Sequence, residues 1–226
     1  MKAIAALDLS GPRAALAVLD ENGNVLCDST VPMRGRTSAE LTPWMLRELV
    51  GCGVSETDVK RWTIGAGPGS FTGMRLAAAL ITGMVYGRDD AKLRCVPTAL
   101  AFAARSYSGN AEEGARCAIL FDGRNRELLL FDAVYQNGEW VPAGRELVMN
   151  ANDAEAFLEE TTFDQILAPD FDCPALAKLL TAERMKTVCP ADTISAVPLA
   201  TARYKDFDNN SAALVYIRPA VFTNPA

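Results

Sequence analysis

The stretch TIGAGPGSFTGMRLAAALITGMVYG, residues 63–87, sets a glycine-rich turn between two apolar segments. Trp62 to Gly65 has the character of a buried strand, and the apolar residues after Met74 predict a helix to about Tyr86. Backbone N–H groups at the start of such a helix carry partial positive charge and can hold an anion. The stretch therefore predicts an α/β fold and raises the question of a phosphate-binding loop.

The spacing of the glycines argues against two common phosphate loops. The Walker pattern needs a lysine where Met74 follows Gly73, and the Rossmann pattern would need one residue fewer between its glycines. The turn is then either an anion cradle or a tight strand-to-helix turn in which Gly73 permits close packing, and the spacing favours the second. The candidate residues are Gly67, Gly69, Ser70, Thr72 and Gly73, together with Asp8 and Ser10 from the first predicted hairpin.

The carboxylates in two predicted turns could each have either a ligand-binding or catalytic role or a purely structural one. Asp8 follows the first predicted strand, where a carboxylate can hold a hydrated magnesium beside a nucleotide phosphate or can close an Asx turn on its own backbone. Asp122 and Glu127 flank a predicted hairpin end. They could act as a pair of catalytic carboxylates, or they could be solvated charges in surface ion pairs. The sequence leaves both pairs of alternatives open.

The predicted elements form two similar series, strands first and then strands alternating with helices. The predicted strands are 3–8, 14–19, 25–30, 62–65, 93–97, 117–122, 127–135, 140–148, 165–168 and 186–189. The predicted helices are 38–50 with Ser38 as N-cap, 55–60, 74–86, 98–106 with Thr98 as cap, 153–160, 174–182 and a stretch from Asp192 containing Pro198. Asn137-Gly138 predicts a type I′ hairpin turn.

The most suitable linker is GNAEEG, Gly109 to Gly114. We therefore expect an N-terminal lobe over residues 1–108 and a C-terminal lobe over 109–226, each a mixed sheet flanked by helices. The last ~20 residues are a candidate to pack back on the first lobe.

Composition excludes several classes of chemistry. The 226 residues contain no histidine, which removes histidine bases, Ser-His-Asp systems and His-based zinc sites. The six cysteines form no Cys-x-x-Cys pair. No apolar run approaches the ~20 residues of a membrane span, and the start of the chain lacks a signal-peptide core, so we expect a soluble cytoplasmic protein. The net charge of −6 and the absence of a basic stripe disfavour autonomous nucleic-acid binding.

The two predicted helices 38–50 and 74–86 are apolar over wide faces. The second leaves almost no polar face, which indicates burial on every side. In a lobe of this size we expect part of that burial to come from another chain. The candidate interface residues are Leu41, Trp44, Met45, Met74, Ala78 and Ile81.

Several segments together resemble the TsaB family. GAGPGSFTGMRLA is very similar to that family's GPGSFTGLR signature, and AALDLS resembles its opening A-I-D-T-S. GRTSAELTPWM, FDGRNRELLL and LVYIRP resemble, more loosely and in the right order, three further family segments.

The resemblance implies a two-lobed actin/Hsp70-like fold and an accessory role in making threonylcarbamoyladenosine at tRNA position 37. It implies a homologous catalytic partner, TsaD, and a small ATPase partner, TsaE, with tRNA reached only through the complex. In that family the two N-lobe helices bundle with the partner or, in isolation, with a second copy. The metal-binding histidine pair of TsaD would fall on Thr98 and Phe102, so the resemblance implies no catalytic residue, no metal and weak or absent nucleotide binding.

The chain departs from the family pattern at Leu9, Thr37 and Leu128, where a threonine, a histidine and a valine are usual. Leu9 removes a hydroxyl that could face a phosphate. Two alternatives stay open: a glycoprotease-like peptidase, which would have to bind its metal through carboxylates alone, and a degenerate ATP-binding sugar-kinase-like protein, which would need a second glycine loop that the chain lacks.

Overall fold

The structure is a computed structural model and describes residues 2–33, 35–192, 194–203, 205–208 and 214. The predicted closing segment LVYIRP lies outside the described residues except for its first leucine. Among the described residues, no helix has both the length and the apolarity that crossing a bilayer requires.

The first sheet has five strands in the order β3-β2-β1-β4-β5. They are β1 (Ala3–Asp8), β2 (Arg13–Asp20), β3 (Val25–Pro32), β4 (Val59–Gly65) and β5 (Lys92–Val96). β1, β2 and β3 pair antiparallel, as the predicted hairpin requires, while β4 and β5 run parallel to β1. The prediction of these five strands is confirmed, with small shifts at their ends.

Three helices accompany this sheet: α1 (Leu41–Gly51), α2 (Phe71–Val85) and α3 (Thr98–Ser106). Ser38 does not cap α1, because it lies inside a 3-10 helix (Gly35–Glu40) and α1 begins only after Glu40. α2 starts three residues before Met74, since the Ser70 hydroxyl accepts a hydrogen bond from the Gly73 N–H at 3.3 Å and caps the helix. The predicted short helix before β4 is a 3-10 turn, Glu56–Asp58.

The second sheet repeats the topology of the first, in the order β8-β7-β6-β9-β10. Its strands are β6 (Arg116–Arg124), β7 (Glu127–Gln136), β8 (Glu139–Asn150), β9 (Gln165–Pro169) and β10 (Val188–Ala191). The first three pair antiparallel, and β9 and β10 run parallel to β6. Asn137 and Gly138 have φ of 52° and 83°, which fits the predicted type I′ turn.

The helices of the second half are α4 (Ala151–Glu160), α5 (Cys173–Leu176), α6 (Ala182–Thr187) and α7 (Val197–Thr201). The predicted single helix 174–182 is wrong. Thr181 is extended and its hydroxyl accepts from the Arg184 N–H at 3.2 Å, so it starts α6 instead of continuing α5. α6 consequently takes Lys186 and Thr187 from the predicted strand 186–189. Pro198 stands in the first turn of α7, as predicted, but the helix begins at Val197 and not at Asp192.

Three apolar clusters hold the elements together. The first-sheet core lies under α1 and α2 and includes Leu7, Leu16, Trp44, Met45, Trp62 and Ile81. The interlobe core surrounds α3 and includes Ala6, Ala17, Phe102, Ile119, Phe131, Leu167 and Leu199. The third cluster covers the other face of the second sheet with α4 and α5 and includes Leu120, Leu130, Leu158 and Leu176. Successive residues of β1 alternate between the first two clusters, as the twofold period of a strand requires.

After α7 the chain returns to the first sheet. Arg94 of β5 is buried, and its guanidinium donates to the carbonyls of Leu199 and Ala200 at 3.2 and 2.9 Å and to that of Lys205 at 2.9 Å. Leu93 and Asp208 exchange two backbone hydrogen bonds of 3.0 Å. The described part of the C-terminal segment therefore covers the β5 edge of the first sheet.

Candidate functional site

The glycine turn packs directly on the β1–β2 turn. Gly67 and Gly69 have φ of 91° and 156°, values that other residues rarely adopt. A side chain at Gly69 would collide with the Ser10 backbone, and one at Gly73 would collide with the Leu9 carbonyl. The glycines are therefore explained by the close approach of two turns.

Three backbone donors of this turn are already used inside the protein. The Ser70 N–H donates to the Ser10 carbonyl at 2.6 Å, and the Gly67 N–H donates to the Thr98 hydroxyl at 3.1 Å. The Gly73 N–H is engaged by the Ser70 side chain, as described above. Thr72, the remaining candidate here, is exposed at the start of α2. An anion could use the Gly67, Ser70 or Gly73 N–H only by displacing these contacts.

Asp8 is fully buried at the end of β1 and forms an Asx turn. Its Oδ1 accepts from the Ser10 N–H at 2.9 Å and from the Ser10 hydroxyl at 2.8 Å, and its Oδ2 accepts from the Thr98 hydroxyl. Burial raises the pKa of Asp8, against the hydrogen bonds from Thr98 and Ser10, which lower it. The sequence left open whether this carboxylate binds a hydrated magnesium or closes an Asx turn, and the geometry matches the Asx turn.

Thr98 has a different role from the predicted helix cap. No side chain caps the start of α3, and the Thr98 hydroxyl instead links Asp8 to the glycine turn. Gly65 belongs to the same cluster, since a Cβ there would collide with the Asp8 carboxylate. Sequence reasoning missed this link because Asp8 and Thr98 are 90 positions apart. The one available signal was the glycine at the last position of a buried strand.

The turn between β6 and β7 is a strained hairpin end. Arg124, Asn125 and Arg126 have φ of 60°, 50° and 62°, in the left-handed region. The Asp122 carboxylate accepts from the Arg124 N–H at 2.9 Å and so stabilises the turn. Within the described ranges, no three His, Cys, Asp or Glu side chains converge in the way a metal site requires.

All six predicted interface residues lie inside the protomer. Leu41, Trp44, Met45, Met74, Ala78 and Ile81 are each at most 8% exposed. Leu41, Trp44, Met45 and Ile81 belong to the first-sheet core. Helical periodicity identifies an apolar stripe but does not tell which surface covers it. In the folded chain these side chains are buried, so they do not form the exposed contact surface that their sequence pattern led us to expect.

The exposed side of α2 consists of Phe71, Arg75, Ala79, Thr82, Gly83 and Tyr86, here called the outer face of α2. Phe71 and Tyr86 are 39% and 86% exposed. The Arg75 guanidinium lies 3.6 Å from the centre of the Phe71 ring. Nothing lies within 4 Å of a Cβ added at Gly83, so a second helix could approach this position closely.

The departures from the TsaB pattern lie in two environments. Leu9 and Leu128 are buried in apolar clusters, so both are packing residues here. Thr37 borders a cavity of about 640 Å³, which the β1–β2 turn and Met33 line on one side and Phe102 and Phe171 on the other.

The family model for TsaD, tRNA N6-adenosine threonylcarbamoyltransferase, matches residues 35–213. A solved Pseudomonas aeruginosa structure, described as an uncharacterized protein with similarity to peptidase YeaZ, is 24% identical at a TM-score of 0.71. The match covers 96% of this chain and 100% of that one. YeaZ from Pseudomonas aeruginosa is 22% identical at a TM-score of 0.63, over 88% of this chain and 89% of that one.

A ROK hexokinase from Thermus thermophilus also matches, with 19% identity and a TM-score of 0.40, over 63% of this chain and 49% of its own. No curated protein sequence matches this chain. The two five-stranded mixed sheets have the same strand order, which confirms the predicted α/β fold of two lobes with a mixed sheet in each, and the two Pseudomonas structures share the overall fold.

Proposed function

The chain belongs to the TsaD family of tRNA N6-adenosine threonylcarbamoyltransferases, and from this premise we propose that it is a TsaB-like accessory subunit without catalytic activity of its own. It binds a TsaD-type catalytic subunit and stabilises its active conformation during threonylcarbamoyladenosine formation on tRNA. The TsaE-type ATPase and the tRNA engage the assembled complex. The protein acts in the cytoplasm and, without its partner, forms a homodimer through the same surface.

The observation that carries this proposal is the state of the two positions on which, by the resemblance, the TsaD metal ligands would fall. Thr98 and Phe102 lie one turn apart on α3 and are both buried. The Thr98 hydroxyl is engaged by Asp8 and Gly67, and the Phe102 ring packs edge-on against Phe121 with centroids 6.1 Å apart. Core packing occupies the positions where the catalytic relative has its ligands, which supports a non-catalytic role.

The same geometry supports weak or absent nucleotide binding. Three N–H donors of the glycine turn are engaged by Ser10, Ser70 and Thr98, and the Asp8 carboxylate is fully buried. We therefore expect equilibrium dialysis with ATP and magnesium to detect no micromolar binding to the purified chain. Micromolar affinity would instead favour the kinase-like alternative.

We assign the partner-binding role to the outer face of α2. This face combines two exposed aromatic side chains, Phe71 and Tyr86, with small residues at Ala79 and Gly83. Aromatic anchors beside small residues allow a partner helix to pack closely while burying large apolar groups. The predicted occupant is a helix of the TsaD-type subunit, as the resemblance implies for the helices of this lobe.

The test is co-purification of the chain with the TsaD-type subunit from its source cell. Ala79→Arg places a long charged side chain in the middle of the outer face of α2, and we expect at least about tenfold weaker binding and a monomer by light scattering. Tyr86→Asp should weaken binding in the same direction.

Val25→Asp is the matched control, because Val25 is 51% exposed on β3 and lies on a different element. It should bind like the unsubstituted chain. Full binding by both α2 variants, with circular dichroism showing native folds, would refute the assignment of this face.

A further inference from the structure

The glycine turn leads directly into the outer face of α2. Phe71, the first residue of that face, follows the N-cap residue Ser70. Met74 is the first residue of α2 with a buried side chain, so Phe71 precedes the part of the helix that core packing fixes. The position of Phe71 therefore depends on how the glycine turn is held.

Hydrogen bonds from two other segments hold the glycine turn. Gly67 and Gly69 lack side chains that could pack, and a glycine backbone has wide conformational freedom. The Ser70 N–H donates to the Ser10 carbonyl at 2.6 Å. Gly67 exchanges two hydrogen bonds with Thr98: its N–H donates to the Thr98 hydroxyl at 3.1 Å, and its carbonyl accepts from the Thr98 N–H at 2.7 Å. Ser10 and Thr98 are therefore the two anchors of the turn.

The Asp8 carboxylate joins the two anchors. Its Oδ1 accepts from the Ser10 N–H and hydroxyl, and its Oδ2 accepts from the Thr98 hydroxyl. Because the Thr98 hydroxyl has one proton and donates it to Asp8, its oxygen is left to accept from Gly67. Asp8 and Thr98 are both fully buried. One buried carboxylate thus orients the groups that hold the start of α2.

The Thr98 anchor is itself held by both lobes. Thr98 is the first residue of α3, and Leu100 and Phe102 of this helix pack in the interlobe core. The Phe102 ring lies edge-on against Phe121 of the second sheet. The glycine turn is therefore attached to a helix whose position does not depend on α2.

From this geometry we propose that Asp8 and Thr98 are positioning residues for partner binding, which set the place and orientation of Phe71 on the outer face of α2 through the glycine turn. This inference rests on the function proposed above. Both side chains are buried, so they act on the partner through Phe71 and not by contact. Their effect is confined to the start of the face, because Tyr86 at its other end follows the part of α2 that core packing fixes.

The first experiment compares two substitutions of Thr98 by the affinity of the full chain for the TsaD-type subunit in titration calorimetry. Thr98→Val keeps the shape and removes the hydroxyl, which takes a hydrogen-bond partner from both Asp8 and Gly67. We expect about fivefold weaker binding by this variant. Thr98→Ser keeps the hydroxyl and should retain most of the affinity.

Thr63→Val is the matched control for a loss of stability alone. Thr63 is also a fully buried threonine of the first lobe, but its hydroxyl accepts from the Arg94 Nε at 3.0 Å and does not contact the glycine turn. This variant also loses a buried hydrogen bond, yet it should bind the TsaD-type subunit like the unsubstituted chain.

Double-mutant cycles locate the effect along the outer face of α2. Thr98→Val is combined with Phe71→Leu and, separately, with Tyr86→Leu. The effects of Thr98→Val and Phe71→Leu on affinity should depart from additivity by about threefold or more, because both act through the Phe71 contact. The effects of Thr98→Val and Tyr86→Leu should be additive.

Hydrogen exchange of the unbound chain, followed by mass spectrometry, tests the same positioning without the partner. In Thr98→Val the amides of the glycine turn and of the first turn of α2 should exchange faster, and those of its last turn should not change. Unchanged exchange at the first turn would overturn the proposal, as would unchanged affinity of Thr98→Val or an equally large departure from additivity with Tyr86→Leu. Failure of the unsubstituted chain to bind the TsaD-type subunit is a distinct result, which would refute the proposed function and with it the role of this pair in docking.

Discussion

Asp8 shows how one buried carboxylate joins three distant segments. It closes the β1–β2 turn through Ser10, and it holds the start of α3 through Thr98, which in turn holds Gly67. An aspartate that follows the first strand can hold a hydrated magnesium beside a nucleotide phosphate. Its complete burial and its hydrogen bonds with protein groups give it a structural role here.

This burial predicts a specific dependence of stability on pH. Burial raises the pKa of Asp8 above the ordinary value of 3.8, so between that value and the raised pKa the folded chain binds more protons than the unfolded chain. The contribution of Asp8 to the free energy of unfolding therefore falls as the pH rises through this window. Asp8→Asn removes the effect, so we expect the stability of the variant relative to the wild type to increase between pH 4 and pH 7 in urea denaturation.

Asp20→Asn is the matched control with the opposite sign. The side chain of Asn24 lowers the pKa of Asp20 by hydrogen bonding, so Asp20 contributes stability above its ordinary pKa that is lost at lower pH. Relative to the wild type, this variant should lose stability as the pH rises towards 3.8 and should change little between pH 4 and pH 7. An Asp8→Asn stability difference that stays constant over the range would contradict the role assigned to burial.

At the scale of elements, helix α2 contains two glycines with opposite requirements. Gly73 faces the Leu9 carbonyl so closely that a Cβ would collide with it, whereas a Cβ at Gly83 would meet nothing within 4 Å. Gly73→Ala should therefore destabilise the chain by about 1–3 kcal/mol, because the helix must move away from the β1–β2 turn. Gly83→Ala should stabilise it by about 0.5–1 kcal/mol through helix propensity alone.

Chemical denaturation of the two variants measures this difference. The pair is internally controlled, since the same substitution is made twice in one helix. Equal effects at both positions would mean that the glycine turn is not held against the β1–β2 turn as the structure shows.

The elements could be predicted from the sequence wherever local chemistry decides them. The strands follow from short apolar runs, and the Asn137-Gly138 turn follows from the preference of these residues for positive φ. The break between α5 and α6 was missed because Thr181 stands within an apolar helical pattern, and its capping preference decides the outcome only in the folded chain. The sidedness of α2 was missed because coverage by the first sheet is a tertiary property.

At the scale of the whole molecule, the two sheets have the same strand order, and besides a cluster of its own each sheet contributes to the shared interlobe core. α3 precedes the linker in sequence, yet Leu100 and Phe102 pack in the interlobe core with Ile119 and Phe131 of the second sheet. α7 comes from the second half and is bound by Arg94 of the first sheet. Each lobe thus contributes a helix whose burial depends on the other.

This exchange of helices predicts a single cooperative unfolding transition. Separating the lobes would expose the buried residues of α3 and the carbonyls that Arg94 holds, so neither lobe has a low-energy state in which only the other is unfolded. Calorimetry of the full chain should show one transition with a calorimetric enthalpy of about 160 kcal/mol near 60 °C, equal to its van't Hoff enthalpy. Two independent lobes would instead give a van't Hoff enthalpy of about half the calorimetric value. That ratio, or two resolved peaks, would show that the interlobe core does not couple the lobes, and α3 would then have to be stable on the first sheet alone.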